Sequence, residues 1–181
     1  GFACGQIVYG PLSDRYGRRP LLHGGLLMFC VGTLGCVFAH SIDRLILARF
    51  VQALGACAGP VIGRAVVRDL WGASESARVI AYMGGAMAIG PLLGPTLGGF
   101  LTVLFGWQSN FVFLLLVAVV QLAVVARVLG ESNVHRDPEA TTPARMLANF
   151  RRLLADRSYL GYLLTFSFSY SALFAFISAS S

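Results

Sequence analysis

Charged side chains are scarce in this sequence, and long uncharged stretches take their place. Only 12% of the 181 residues are charged, whereas 56% are apolar. A soluble domain is usually about a quarter charged, because water must solvate its surface. This chain has too few charges to cover itself in that way. The composition therefore predicts an all-α membrane protein whose helices are surrounded by lipid.

Three stretches contain no charged residue, namely 20–42, 79–126 and 158–181. A helix needs about 20 mostly apolar residues to cross a hydrocarbon core of about 30 Å. A polar turn at 106–110 divides the longest stretch into two. Together with the mostly apolar segments 1–12 and 45–67, the stretches predict about six transmembrane helices. We expect a fragment with a truncated first span, because the chain begins inside an apolar run without an initiator Met.

The chain contains no lysine, and its 14 basic residues are all arginines. Apart from Arg44 and Arg49, they lie in or beside alternate loops between the predicted spans. Loops rich in arginine face the cytoplasm in multi-spanning proteins. The sequence therefore predicts that 13–19, 68–78 and 130–157 are cytoplasmic. Nucleic-acid binding is an alternative explanation of the net charge of +6, but the arginines lie in separate loops between very apolar segments.

Residues that could bind a metal or catalyse a reaction are few and scattered. The relevant side chains are Cys4, Cys30, Cys36, Cys57, His23, His40 and His135. The cysteines lie in apolar segments without metal-binding spacing, so they are interpreted as reduced packing residues. A Gly-rich phosphate loop and a catalytic pair of side chains are also absent from the sequence. It predicts no metal, no cofactor and no enzymatic activity.

The polar stretch 130–142, which includes Pro138, is predicted to be a flexible connector. From 143 to 157 the pattern becomes helical, with apolar residues on one face. These residues are Met146, Leu147, Phe150, Leu153 and Leu154. Such a helix is predicted to lie on the cytoplasmic membrane surface. A linker helix that packs on the protein itself is the alternative.

A charged motif occupies residues 10–21, between the first two predicted spans. Its glycines allow a tight turn and a close approach of helices, and Asp14 can accept hydrogen bonds from nearby arginines. The motif resembles the signature G-x-L-x-D-r-x-G-r-[KR]-x-l of the major facilitator superfamily. The gating residues that the resemblance implies are Gly10, Asp14, Arg15, Gly17, Arg18 and Arg19. A generic arginine-rich loop would explain the arginines but not the spacing of glycine and aspartate.

A second motif contains Arg49, Gln52 and Gly55, and it resembles the pattern l-x-x-x-R-x-x-q-G-x-g on the fourth span of the superfamily. Arg49 and Gln52 share one helix face. A charge deep in a membrane costs about 2.5–3.5 kcal/mol and usually faces a cavity or a partner. The motif is therefore assigned a role in proton or substrate coupling. Alternatively, Arg49 extends to the nearby interface, as Arg44 does.

A third motif is similar to the sequence g-x-x-x-G-P-x-x-G-G, which marks antiporters on the fifth span of the superfamily. Its residues here are Gly90, Pro91, Gly94, Pro95, Gly98 and Gly99. Glycines at every fourth position form a flat stripe against which another helix can pack. The prolines remove backbone donors and are expected to bend the helix. A static packing helix, the alternative, would need the glycines but not the prolines.

Further stretches resemble the Bcr/CflA branch of bacterial drug exporters, including a loop between the fourth and fifth spans with Arg64, Arg68, Asp69 and Arg78. The resemblance implies spans two to seven of twelve. Residues 1–129 would belong to the N-terminal bundle, 130–157 to the cytoplasmic loop between the bundles, and 158–181 to span seven. It also implies a monomer in the bacterial inner membrane that expels small amphipathic drug-like substrates against protons by rocker-switch alternating access.

The predicted spans contain no acidic residue. In antiporters of this kind, acids of the first span are thought to bind the proton, so the resemblance implies that the proton site lies outside this sequence. Two alternatives stay open: a uniporter or symporter for a sugar or metabolite, and a membrane sensor or scaffold that transports nothing. The sequence does not identify the substrate.

Overall fold

The computed structural model describes residues 2–133 and 137–180, so His135 and Arg136 lie outside the described residues, as does the side chain of Cys4. The described chain forms eight α-helices. They are α1 (Phe2–Tyr16), α2 (Arg18–Val37), α3 (Ile42–Ala56), α4 (Ala58–Leu70), α5 (Ala73–Phe105), α6 (Gln108–Val128), α7 (Pro143–Ala155) and α8 (Arg157–Ser180). Two compact units are present, Gly1–Pro138 with α1 to α6 and Glu139–Ser181 with α7 and α8.

Four helical stretches within the described residues are long and apolar enough to cross a membrane. They are Arg18–Val37, Ile42–Leu70, Ser74–Phe105 and Gln108–Val128. They correspond to four of the six spans expected from the uncharged stretches, and the fold-back predicted at 106–110 separates the last two. The other two expected spans correspond to α1, which has 15 residues, and α8, which has 24. The prediction of an all-helical membrane protein is confirmed.

The expected span 45–67 is divided at Cys57 into α3 and α4. The cause is Pro60, which has no backbone N–H and therefore leaves the carbonyl of Ala56 without its usual helical donor. Cys57 itself keeps helical dihedral angles. The break thus interrupts the hydrogen bonding without turning the chain back, and Ile42–Leu70 still counts as one stretch of spanning length.

In contrast, α5 runs without interruption through Pro91 and Pro95 over 33 residues. At 1.5 Å per residue it is about 50 Å long, which exceeds a hydrocarbon core of about 30 Å. It begins at Ala73, before the uncharged stretch, and the side-chain hydroxyl of Ser76 donates to the carbonyls of Trp71 and Gly72. The first turns of α5 therefore extend beyond the part that a membrane would surround.

The first unit is organised around α2, which packs against α3, α4 and α6. The contact with α3 is very close, because a Cβ atom at Gly55 would lie 2.4 Å from the backbone nitrogen of Phe29. A core of buried side chains fills the space between α1, α2 and α4. It consists of Tyr9, Leu22, Cys57, Ala58, Ile62 and Val66. Cys30 and Cys36 are also buried and free, as expected for packing residues.

The outer faces of α5 and α6 carry exposed apolar side chains. Phe100 is 65% exposed, Val103 85% and Val120 62%. Apolar surface on this scale is uncommon on soluble monomers and marks a surface that lipid or another protein covers. This pattern agrees with the low charge of the sequence.

Candidate functional site

The motif at 10–21 forms the turn between α1 and α2. Gly17 has φ 104° and ψ 156° and stands directly before α2. This backbone conformation is unfavourable for residues with a Cβ. A Cβ atom at Gly17 would also lie 2.5 Å from Oε2 of Glu131. The predicted need for glycine in the turn is therefore explained twice, by the dihedral angle and by the neighbouring carboxylate.

Arg18 is buried at the centre of this turn, with 8% of its surface exposed. Its guanidinium pairs with the carboxylate of Asp14 on α1 at 2.5 Å and with that of Asp69 on α4 at 3.0 Å. It also donates to the hydroxyl of Ser13. A buried cation is tolerated when it is paired and hydrogen-bonded in this way. The guanidinium thus joins three helices, α1, α2 and α4.

The other motif residues take different positions. Arg19 donates to the carbonyl of Ala126 near the end of α6, at 3.0 Å. The guanidinium of Arg15 lies over the ring of Tyr16, 5.2 Å from its centroid. Among the described residues, nothing lies within 4 Å of a Cβ atom built on Gly10, so its role in close helix packing stays a prediction.

Glu131 completes the arrangement, and the sequence did not single it out. Its carboxylate accepts hydrogen bonds from the backbone N–H groups of Arg18 at 2.9 Å and Arg19 at 3.3 Å. It also accepts one from the N–H of Asn133 at 3.0 Å. The first N–H groups of a helix lack partners within the helix and favour negative charge. Glu131 therefore caps α2 from the segment that follows α6.

Two neighbours of Glu131 extend these contacts. The side-chain amide of Asn133 donates to the carbonyls of Ser13 at 3.3 Å and Asp14 at 3.0 Å. The hydroxyl of Ser132 donates to Asp69 at 3.3 Å. Residues 131–133 thus hold the end of α1, the start of α2 and the end of α4. We call residues 131–133, together with Asp14, Arg18 and Asp69, the charged end.

The arginines predicted for the loop between the fourth and fifth spans lie on α4 and α5 and contact groups of their own helices. Arg64 donates to the carbonyl of Pro60 in its own helix at 2.8 Å, and Arg68 donates to the carbonyl of Arg64 at 3.5 Å. The guanidinium of Arg78 lies over the ring of Tyr82, 5.8 Å from its centroid. Of the four residues predicted in this loop, Asp69 belongs to the charged end, where it contacts Arg18 and Ser132.

The motif on α3 forms a second polar arrangement. Arg49 donates to Oε1 of Gln52 at 2.6 Å, and the amide of Gln52 donates to the hydroxyl of Thr33 on α2 at 2.8 Å. Gln52 is 3% exposed. The guanidinium of Arg49 lies 5.7 Å from the ring centroid of Phe111 on α6. These contacts agree with a guanidinium that faces other helices, rather than one that extends towards Arg44.

Arg49 and Gln52 line a pocket of about 300 Å³. Its other walls are apolar and are formed by Phe2, Phe29, Ala53, Ala56 and Leu114. Small-molecule sites commonly combine an apolar lining with a few polar groups that are held in place. Thr33 accepts from Gln52 and the ring of Phe111 lies beside Arg49. No local pattern in the sequence indicates these contacts, since they join residues far apart in the chain.

The glycine stripe on α5 is open over most of its length. Within the described residues, a Cβ atom on Gly90, Gly94 or Gly99 would have no neighbour within 4 Å. At Gly98 the nearest atom is Oδ1 of Asn110, at 3.5 Å. The helix that the motif was expected to pack against is not found in the described part of the chain. The stripe as a packing surface stays a prediction.

Long apolar helices, a charged turn between α1 and α2 and an apolar pocket with two polar side chains are the features of a membrane protein of many spans. The chain belongs to the Major Facilitator Superfamily, whose family model matches residues 1–180. A relative from Haemophilus influenzae, described as "Bicyclomycin resistance protein homolog", is 30% identical over all of this chain and 46% of its own length. The predicted resemblance to the Bcr/CflA branch is thereby confirmed.

Two further proteins are similar. "Multidrug transporter MdfA" of Yersinia pestis is 31% identical over 97% of this chain and 42% of its own length. The crystal structure of the human organic anion transporter MFSD10 (TETRAN) has a TM-score of 0.68 and 25% identity, over 80% of this chain and 33% of that one. This chain spans less than half the length of these proteins.

Proposed function

We propose that the whole protein exports small amphipathic, drug-like molecules across the bacterial inner membrane in exchange for protons. The charged end would face the cytoplasm, in line with the arginine-rich loops. The two bundles would rock against each other so that a central site opens to one side at a time.

The main structural observation in support of rocker-switch transport is the buried Arg18. Its pairs with Asp14 and Asp69 tie α1, α2 and α4 together, and Glu131 ties the segment after α6 to α2. Separating the helices at this end would leave the buried guanidinium of Arg18 without its acceptors, so these helices resist separation. A bundle that moves as a rigid body is what rocker-switch transport requires.

The pocket beside Arg49 is the best candidate for a part of the ligand site in this half of the protein. Its aromatic and aliphatic walls suit an apolar ligand body, and Arg49 and Gln52 offer donors to a polar group. A guanidinium stays protonated at physiological pH. Arg49 would therefore hold a polar acceptor group of the substrate, while the proton is carried by a group elsewhere.

Exchange for protons is supported by the resemblance of the α5 motif to that of antiporters. Export of drugs is supported by the names of two relatives, a bicyclomycin resistance protein homolog and a multidrug transporter. A second candidate, transport of organic anions, is favoured by the positive charge of Arg49 in an apolar pocket. The human transporter of similar structure is described as an organic anion transporter.

The test is drug accumulation by bacterial cells that lack their own exporters and express the full-length protein. Chloramphenicol serves as the neutral probe and an anionic dye as the alternative. The proposal expects lower accumulation of chloramphenicol than in cells with empty vector, and a protonophore should abolish the difference. Reduced accumulation of the anionic dye alone would favour the second candidate. Unchanged accumulation of every probe at normal expression would favour a sensor or scaffold.

A further inference from the structure

The short helix α7 has two contrasting surfaces. One face is apolar and consists of Met146, Leu147, Phe150, Leu153 and Leu154. Most of this face is exposed in the described chain, for example 71% of Leu147 and 56% of Leu154. The rest of the helix carries three arginines and no acidic residue. Five apolar residues exposed to water would be unfavourable, so this face requires a cover.

The position of α7 in the chain places it close to the start of an apolar helix. It ends at Ala155, and α8 begins at Arg157 and continues for 24 residues. Asp156 stands between them, and its carboxylate accepts hydrogen bonds from the N–H groups of Ser158 at 2.9 Å and Tyr159 at 3.3 Å. Because only Asp156 separates the two helices, α7 must lie near the depth at which α8 would enter a membrane.

The charged side chains of α7 indicate what kind of surface contacts its apolar face. Arg151 lies beside the apolar face, and Arg145 and Arg152 lie on the far side of the helix, as their helical spacing dictates. Arginine side chains can bury their aliphatic part in an interface while the guanidinium binds phosphate. A helix with an apolar face and arginines on its polar side is the form that binds anionic membrane surfaces.

We propose that α7 lies flat in the interface of the membrane, with its apolar face among the acyl chains and its arginines on the phosphates of anionic phospholipids. Under the proposed topology this is the cytoplasmic leaflet. The inference does not depend on what the protein transports. The main alternative is that another part of the same protein covers the apolar face of α7. The experiment distinguishes this alternative from burial in lipid.

The test uses the full-length protein without native cysteines, reconstituted in lipid nanodiscs that contain phosphatidylglycerol. An environment-sensitive fluorophore is attached at Leu147→Cys or Leu154→Cys on the apolar face. Ala148→Cys, on the opposite face of the same helix, is the matched control. Nitroxide-labelled lipids should quench the first two positions, whereas a water-soluble quencher should reach the control.

Quenching of Leu147→Cys by neither reagent would overturn the proposal, because it would mean that protein covers this face. Equal quenching of all three positions by the aqueous reagent would overturn it as well. The role of charge is tested by Arg151→Gln combined with Arg152→Gln, with lysine at both positions as control. In anionic nanodiscs, each lost arginine should lower by about fivefold the ratio of protein with α7 bound to the membrane to protein with α7 released from it. An unchanged ratio would contradict the role of anionic lipid.

Discussion

At the scale of single residues, Arg18 differs from an ordinary surface arginine because its guanidinium is buried between two carboxylates. Its side chain is 10% exposed, compared with 24% for Asp69 and 47% for Asp14. Exposed ion pairs contribute little to stability, about 0–1 kcal/mol. The pair with Asp69 is better shielded from water than the pair with Asp14. Water therefore weakens the pair with Asp14 more than the pair with Asp69.

These contacts predict distinct effects for two substitutions. Lysine at position 18 is a point charge and cannot bond both carboxylates with a planar fork, so Arg18→Lys should lower the free energy of unfolding by about 1–3 kcal/mol.

Asp14→Asn should reduce efflux far more than it reduces expression, since a shift of about 1.4 kcal/mol alters a conformational equilibrium tenfold. Thermal denaturation and efflux at matched expression measure these effects.

Arg64→Lys is the control for the first substitution, because Arg64 bonds a carbonyl of its own helix. Equal stability of the Arg18→Lys and Arg64→Lys variants would contradict the role given to Arg18. Unchanged efflux of the Asp14→Asn variant would remove Asp14 from the transport cycle.

Glu131 offers a second prediction at this scale. Glu131→Gln removes the charge at the start of α2 but keeps the size of the side chain and one acceptor oxygen, and it should cost about 0.3–1 kcal/mol of stability, as loss of a negative charge at a helix N-terminus does. Glu139→Gln is a suitable control, since its carboxylate is 79% exposed and pairs with Arg145 at 3.7 Å. If the two variants had the same melting temperature, the capping role would be wrong.

Helices and turns show how much of the fold could be predicted from the sequence. Uncharged stretches and the polar turn located the spans, because lipid requires long apolar helices. The division at Cys57 could have been predicted from Pro60, whose effect is local. The cap by Glu131 could not, since its partner Arg18 lies 113 residues away. The pocket beside Arg49 likewise depends on how α2, α3 and α6 pack.

The glycine stripe on α5 gives a prediction at the scale of an element. If another helix packs on the stripe, a leucine at Gly98 would hold the two backbones apart. If the stripe is a moving contact, Gly98→Leu should block efflux while expression and substrate binding persist. Thr96→Leu, two residues earlier and on the opposite face of α5, is the matched control. Normal efflux by Gly98→Leu would exclude a moving contact, and parallel loss of all three properties would indicate static packing.

At the scale of the whole molecule, the arginines predict which end faces the cytoplasm. Ser74, at the start of α5, belongs to the same end as Asp69, whereas Ser41 lies in the turn between α2 and α3 at the opposite end. In a cysteine-free full-length protein, an impermeant thiol reagent added to intact cells should label Ser41→Cys and leave Ser74→Cys unlabelled. The reverse pattern would invert the proposed topology.

The central claim is that this half of the protein belongs to a proton-driven exporter. The most direct measurement uses everted membrane vesicles that contain the full-length protein and whose interior is made acidic by respiration. Chloramphenicol added outside should accumulate in the vesicles above its equilibrium level, while protons leave and the pH gradient falls; vesicles with the Gly98→Leu variant should show neither change. Equilibration of the drug with an unaltered pH gradient would contradict proton exchange and indicate a uniporter.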